Sequence, residues 1–206
     1  MDMEDRSSKD IIEEYARITR RVAVYNETPY KLSGVYKFVK YRKFVYLPYD
    51  SLGKNYFVWV NDPLARIGYP TVFSGAFIPI SSRIKSKLNI RSRNILDKLS
   101  FLKKSKVYST GSKKFDSRVV IKGSYNSAEK RLLSQPRVQD QLLKALEISS
   151  YMTISINEYN VDFIPELKGK SYLSIINPQG WELERDSIDE IFRRMEKIRN
   201  IISYNE

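Results

Sequence analysis

From Lys31 onward the apolar residues of this chain stop recurring every three or four positions and gather into short aromatic and β-branched runs. Before that point Ile11, Ile12, Tyr15, Ile18 and Val22 repeat at helical spacing, and Ser7 with Asp10 forms a capping box ahead of them. The spacing predicts a first helix over 9–22. Acidic Glu13 and Glu14 lie early in it and Arg17, Arg20 and Arg21 late, as the helix dipole favours. Strand-like runs then dominate. A hairpin is expected over 34–49, with arms Gly34–Val39 and Phe44–Tyr49 around a polar break at Lys40–Lys43. Further strands are expected over 56–60, 71–79, 115–122 and 151–164, the last as a second hairpin whose return arm is Asn160–Ile164. Tyr172–Ile176 offers one more strand.

Helical spacing returns twice. Ser127 reads as the cap of a helix to Leu133, and Pro136 as the first residue of the next, so that helix covers 127–147 in two pieces. Ser187 with Glu190 reads as a capping box for a final helix over 187–202, whose seam is Ile188, Ile191, Met195, Ile198 and Ile202. Strands and helices thus come in blocks instead of strict alternation. That pattern implies an α+β fold, a mostly antiparallel sheet with N-terminal, middle and C-terminal helices packed on it. A length of 206 residues suits a single domain over 1–206. Its parts are the N-terminal helix 9–22, a basic β-rich region 31–122, and a helical and hairpin region 123–206.

From Pro70 to Leu146, about a third of the chain, the sequence resembles a loose group of uncharacterised prokaryotic α+β proteins. The resemblance rests on Pro70-Thr71-Val72 at a strand start, Thr110-Gly111-Ser112 and Phe115-Asp116 before a strand ending at Gly123, and Leu132-Leu133 in a short helix followed by a second leucine-rich one. It implies an α+β domain with no established activity and transfers no functional residues.

The chain has no cysteine and no histidine. Disulfide scaffolds, thiolate or imidazole zinc sites, and nucleophilic triads that need a histidine base are therefore excluded. Gly111-Ser112-Lys113-Lys114 lacks the upstream glycine of a phosphate loop. Asp62, Asp116, Asp162, Glu166, Glu182 and Glu184 match no catalytic spacing and read as turn and surface acids. No catalytic residue, metal ligand or cofactor is assigned, and the protein is expected not to be an enzyme. No run approaches the eighteen apolar residues of a membrane span, and the charged N-terminus is unlike a signal peptide, so a cytoplasmic location without a membrane partner is expected.

Charge is the most informative feature that remains. Between Lys31 and Lys122 there are 20 Lys or Arg and 4 Asp or Glu, a net of +16. The rest of the chain has a net of −4, and the whole +12. Such asymmetry reads as an electrostatic footprint. On the first hairpin Lys37, Lys40, Arg42 and Lys43 interleave with Tyr36, Phe38, Tyr41 and Phe44, the arrangement that lets bases stack while phosphates follow the charge. Downstream, Arg83, Lys85 and Lys87 alternate with Ile84 and Ser86, so an extended segment puts the three cations on one side. Arg91, Arg93, Lys103, Lys104 and Lys106 continue the basic segment, which also carries a short helical pattern at Ile95, Leu96, Leu99 and Leu102. These twelve cations form the expected nucleic-acid-binding surface. The alternatives are an acidic protein partner, with the chain serving as a structural or adaptor subunit, or a merely solvated surface.

Overall fold

The computed structural model describes residues 7–31, 39–48, 55–64, 67, 71–80, 84–94, 97, 108–124 and 126–203. Among the described residues eight strands form one sheet: β1 (Val24–Lys31), β2 (Val39–Pro48), β3 (Tyr56–Asn61), β4 (Val72–Pro79), β5 (Leu88–Ser92), β6 (Val119–Gly123), β7 (Thr153–Ile156) and β8 (Tyr172–Asn177). Their order is β1-β2-β3-β4-β8-β7-β5-β6, and every neighbouring pair is antiparallel. Among the described residues five α-helices accompany them: α1 (Ser8–Ile18), α2 (Lys113–Asp116), α3 (Ser127–Leu133), α4 (Pro136–Leu146) and α5 (Arg185–Ser203). The fold is α+β, as the block pattern of the sequence implies. Among the described residues no helix is long and apolar enough to cross a membrane.

Period-two alternation sends each strand's side chains to opposite faces, and both faces of β2, β3, β4 and β8 are covered. On one face Val45, Phe57, Trp59, Ile78, Leu88, Ile90 and Ile175 meet the apolar stripes of α1, α4 and α5. The α5 seam is buried at Ile188, Ile191, Phe192, Met195 and Ile198. On the other face Phe44, Tyr56, Val58, Val60, Phe73, Phe77, Tyr172 and Ile176 are covered by the segment 157–171, through Tyr159, Val161, Ile164 and Leu167.

Several boundaries differ from the sequence reading, each for a local reason. The first hairpin is β1 with β2. Lys40–Lys43 lies inside β2 and is no break, because Thr28 stands opposite Arg42 and Glu27 opposite Lys43. The expected arm Gly34–Val39 lies outside the described residues except for Val39, as does most of the short helical pattern at 95–102. The 115–122 strand starts only at Val119, because Ser112 Oγ accepts a hydrogen bond from Phe115 N and turns residues 113–116 into α2. Asn160–Ile164 is not a strand. Its backbone closes turns, with Ile164 N donating to Val161 O at 2.9 Å and Leu167 N to Ile164 O at 3.0 Å, and β7 pairs instead with β5 and β8. The α3 cap is Asn126, which exchanges hydrogen bonds with Glu129, and α5 begins two residues before Ser187. The first helix ends at Ile18, short of Val22.

Candidate nucleic-acid interface

β5 divides the basic segment. Residues 84–87 enter it at one end of the sheet and Arg91 to Arg93 leave at the other, about 16 Å away for a five-residue strand. The entering residues are held by three partners. Asn157, whose φ of 52° places it in the left-handed region, donates from Nδ2 to Ile84 O at 3.1 Å and to Ser86 O at 3.2 Å, and accepts from Tyr172 N at 2.9 Å. Ser86 N donates to Glu129 Oε1 at 3.3 Å. Ser124 N donates to Lys87 O at 3.2 Å, an approach that Gly123 permits because an added Cβ there would sit 2.1 Å from that oxygen. The result is a zigzag in which Ile84 is buried and Lys85 and Lys87 are exposed.

These two lysines stand on a cleft of about 420 Å³ that also takes Lys170, Asn160, Asp162 and Ser171 from the covering segment. Lys85, Lys87 and Lys170 have no ion-pair partner among the described residues. Asp162 is the acid on the lining, and the exposed Glu158 lies close enough to raise the neighbouring phenols. The inner wall is Tyr159 and Tyr172. Tyr172 Oη donates to Tyr159 O and accepts from Tyr159 N, and burial pushes both phenols well above their ordinary range. They remain neutral at any physiological pH, with their rings packed against Phe73 and Phe77.

The other expected cations divide into three groups. Lys37, Arg83, Lys103, Lys104 and Lys106 lie outside the described residues, and Lys40 and Arg42 are described only as backbone within β2. Lys43 is exposed and paired with Glu27 at 3.3 Å. Arg91 and Arg93 are occupied internally. Arg91 grips Asp97 with both terminal nitrogens, at 2.6 and 2.5 Å, which pulls the Asp97 carboxyl down to about 2. Arg93 Nη2 donates to the carbonyls of Asp116 at 2.9 Å and Val119 at 3.1 Å. Phe44 is buried, 4.6 Å from the Phe163 ring, and is no stacking surface. Tyr36 and Phe38 lie outside the described residues, as does the side chain of Tyr41.

Sequence reasoning missed Lys170. Its signal is the short run Lys168-Gly169-Lys170, where Gly169 at φ 69° turns the chain into β8 and leaves both lysines exposed. Two of the six acids considered in the sequence are engaged structurally. Asp116 accepts from Ser109 Oγ at 2.7 Å, Thr110 N at 3.0 Å and Gly111 N at 3.1 Å, and Asp62 Oδ2 accepts from Ile67 N at 2.7 Å. Among the described residues no group of three acids is placed to hold a metal ion. Comparisons with protein-family models, with curated proteins and with solved structures return no match to this chain.

Proposed function

We propose that the protein is a non-enzymatic, cytoplasmic binding protein that holds nucleic-acid phosphates on the lysine rim of the cleft. One observation carries this reading. Lys85, Lys87 and Lys170 come from segments far apart in sequence, converge on one cleft, and have no acid paired with them among the described residues. Their supporting groups, Asn157 and Glu129, are spent on the backbone that positions them. The rings at the cleft are buried, so the contact reads the phosphate backbone and not the bases, and selectivity among sequences is weak.

Binding of this kind is driven by counterion release. The triple substitution Lys85→Gln, Lys87→Gln, Lys170→Gln should weaken binding to DNA and RNA of any sequence. For duplex DNA it should flatten the slope of log affinity against log salt by about 0.9 for each phosphate no longer neutralised. Folding should be retained, since exposed charges contribute little to stability. A wild type that binds neither nucleic acid at low salt sinks the proposal.

A second reading, an adaptor subunit of a protein assembly, is favoured by one other observation. Ile18, Val22, Val24 and Tyr25 stand exposed where α1 leads into β1, Val22 at 75%. In that case binding to nucleic acid is absent and substitution of Val22 by a charged residue changes the assembly state.

A further inference from the structure

A second group of cations, on α3 and beside Thr110, is tied by hydrogen bonds to the backbone of the lysine cleft. Helix α3 connects the two, and hydrogen bonds tie it down at both ends. At its start the buried Glu129 accepts from Ser86 N, between Lys85 and Lys87, while its other oxygen accepts from Asn126 N at 2.7 Å. At its finish Ser134 Oγ donates to Thr110 O at 3.2 Å, and Gln139 Nε2 bridges Leu133 O at 2.8 Å and Thr110 Oγ1 at 3.1 Å. Thr110 belongs to the loop that the Asp116 carboxylate closes, and Lys113 and Lys114 follow it directly.

Along α3 the inward side is Glu129, Leu132 and Leu133, all buried. The outward side is Ser127, Lys130, Arg131 and Ser134, which recur at helical spacing and are exposed. Arg137, in the first turn of α4, is also exposed. Lys113, Lys114, Lys130, Arg131 and Arg137 have no ion-pair partner among the described residues. The nearby acids are already engaged: Glu129 is buried, Asp116 is bound by its loop, and Asp140 is paired with Lys144 at 2.7 Å, with Lys114 adding to the field that lowers its carboxyl.

We infer that α3 and its flanking loops extend the cleft into one continuous cationic surface that seats the backbone of a nucleic-acid duplex. This rests on the proposed function and adds where the duplex lies and which residues hold it. α3 alone is about 10 Å long, so the surface reaches past a single phosphate. Among the described residues the exposed large apolar side chains are Ile18, Val22, Val24, Tyr25, Val72 and Tyr151, and none lies on this surface. A protein partner would want an apolar centre there, and a single strand would want exposed rings for stacking. The described cations of this surface fit duplex phosphates, with the two arginines able to fork onto an oxygen pair.

The test uses the full chain and a short mixed-sequence DNA duplex, with affinity measured over a range of KCl concentrations. Lys130→Gln with Arg131→Gln is expected to flatten the salt slope by about 1.8, and Lys113→Gln with Lys114→Gln by a similar amount. A control pair on α1, which lies beside β1 at the opposite edge of the sheet from β6, Lys9→Gln with Arg17→Gln, is expected to leave the slope unchanged. As a measurement that needs no variant, duplex-bound wild type should protect Lys113, Lys114 and Lys130 from acetylation. If only Lys85→Gln with Lys87→Gln flattens the slope and no protection is seen on α3, the extension is wrong while the cleft reading stands. Wild type that fails to bind the duplex overturns both. Equal flattening by the control pair shows diffuse attraction and overturns the surface. Loss of binding to polyglutamate without loss on DNA makes the occupant an acidic protein and also overturns it.

Discussion

Asn157 is the residue on which the candidate site depends, although it need not touch a ligand. Its side chain makes three hydrogen bonds to backbone groups, and its backbone sits at φ 52°, where an amino acid with a Cβ is strained. Asparagine tolerates that conformation better than most residues because its short amide can bond locally. Two substitutions separate the contributions. Asn157→Ala loses the bonds and keeps the strain, and should cost about 3 kcal/mol; Asn157→Gly loses the bonds and relieves the strain, and should cost about 1 kcal/mol less. Urea denaturation followed by circular dichroism measures both. Both variants should also flatten the salt slope of duplex binding although Lys85 and Lys87 remain, since the bonds to Ile84 O and Ser86 O are lost and the segment is then held only through Ser86 N and Lys87 O. Equal stability of the two variants, or an unchanged slope, contradicts this assignment.

At the scale of elements, glycine decides how closely β6 passes the start of β5. Gly123 combines φ 118° with a Cβ position 2.1 Å from Lys87 O, whereas Gly111 at φ 90° has nothing within 4 Å of its Cβ position. Gly111→Ala should therefore cost only the conformational penalty, about 1–2 kcal/mol, while Gly123→Ala adds a clash and should cost about 3 kcal/mol or more. Equal losses in denaturation would show that the close approach is unimportant. The same elements show what the sequence could and could not reveal. The α5 seam was legible because four apolar residues at helical spacing all reach the core. β5 was missed although Leu88 and Ile90 alternate with Asn89 and Arg91, because the surrounding cations made the whole stretch read as surface. β1 was missed because Asn26, Glu27 and Pro29 argue against a strand, and an edge strand tolerates them. The turns of 160–164 read as a strand because Val161 and Ile164 are buried for another reason, to cover the far face of the sheet. In the site, alternation correctly put Lys85 and Lys87 outward. Composition could not show that Arg93 bonds the carbonyls of Asp116 and Val119, since those partners are brought near only by the pairing of β5 with β6.

At the scale of the whole molecule, the two apolar layers share their strands. β3 sends Phe57 and Trp59 to the helical layer and Tyr56, Val58 and Val60 to the other. The loop before α5 is bound to that strand through both tryptophans of the chain: Trp59 Nε1 donates to Glu182 O at 2.6 Å, and Trp181 Nε1 donates to Val60 O at 2.9 Å. Loss of either layer removes one side of the same sheet, so the described elements are expected to unfold as one unit. Phe192 of α5 is fully buried with its ring 5.5 Å from Phe57, and Phe77 is fully buried in the opposite layer, 5.5 Å from Tyr172. Phe192→Ala and Phe77→Ala should each cost about 3–5 kcal/mol, the usual loss for truncating a core aromatic. Each should move the tryptophan-fluorescence and far-ultraviolet dichroism midpoints together in a denaturant titration, because the tryptophans report the α5–β3 junction and dichroism the whole backbone. If Phe77→Ala shifts the dichroism midpoint and leaves the fluorescence midpoint where it was, the two layers unfold separately. The lysine cleft, walled by Tyr159 and Tyr172 of the second layer, could then open without disturbing α5.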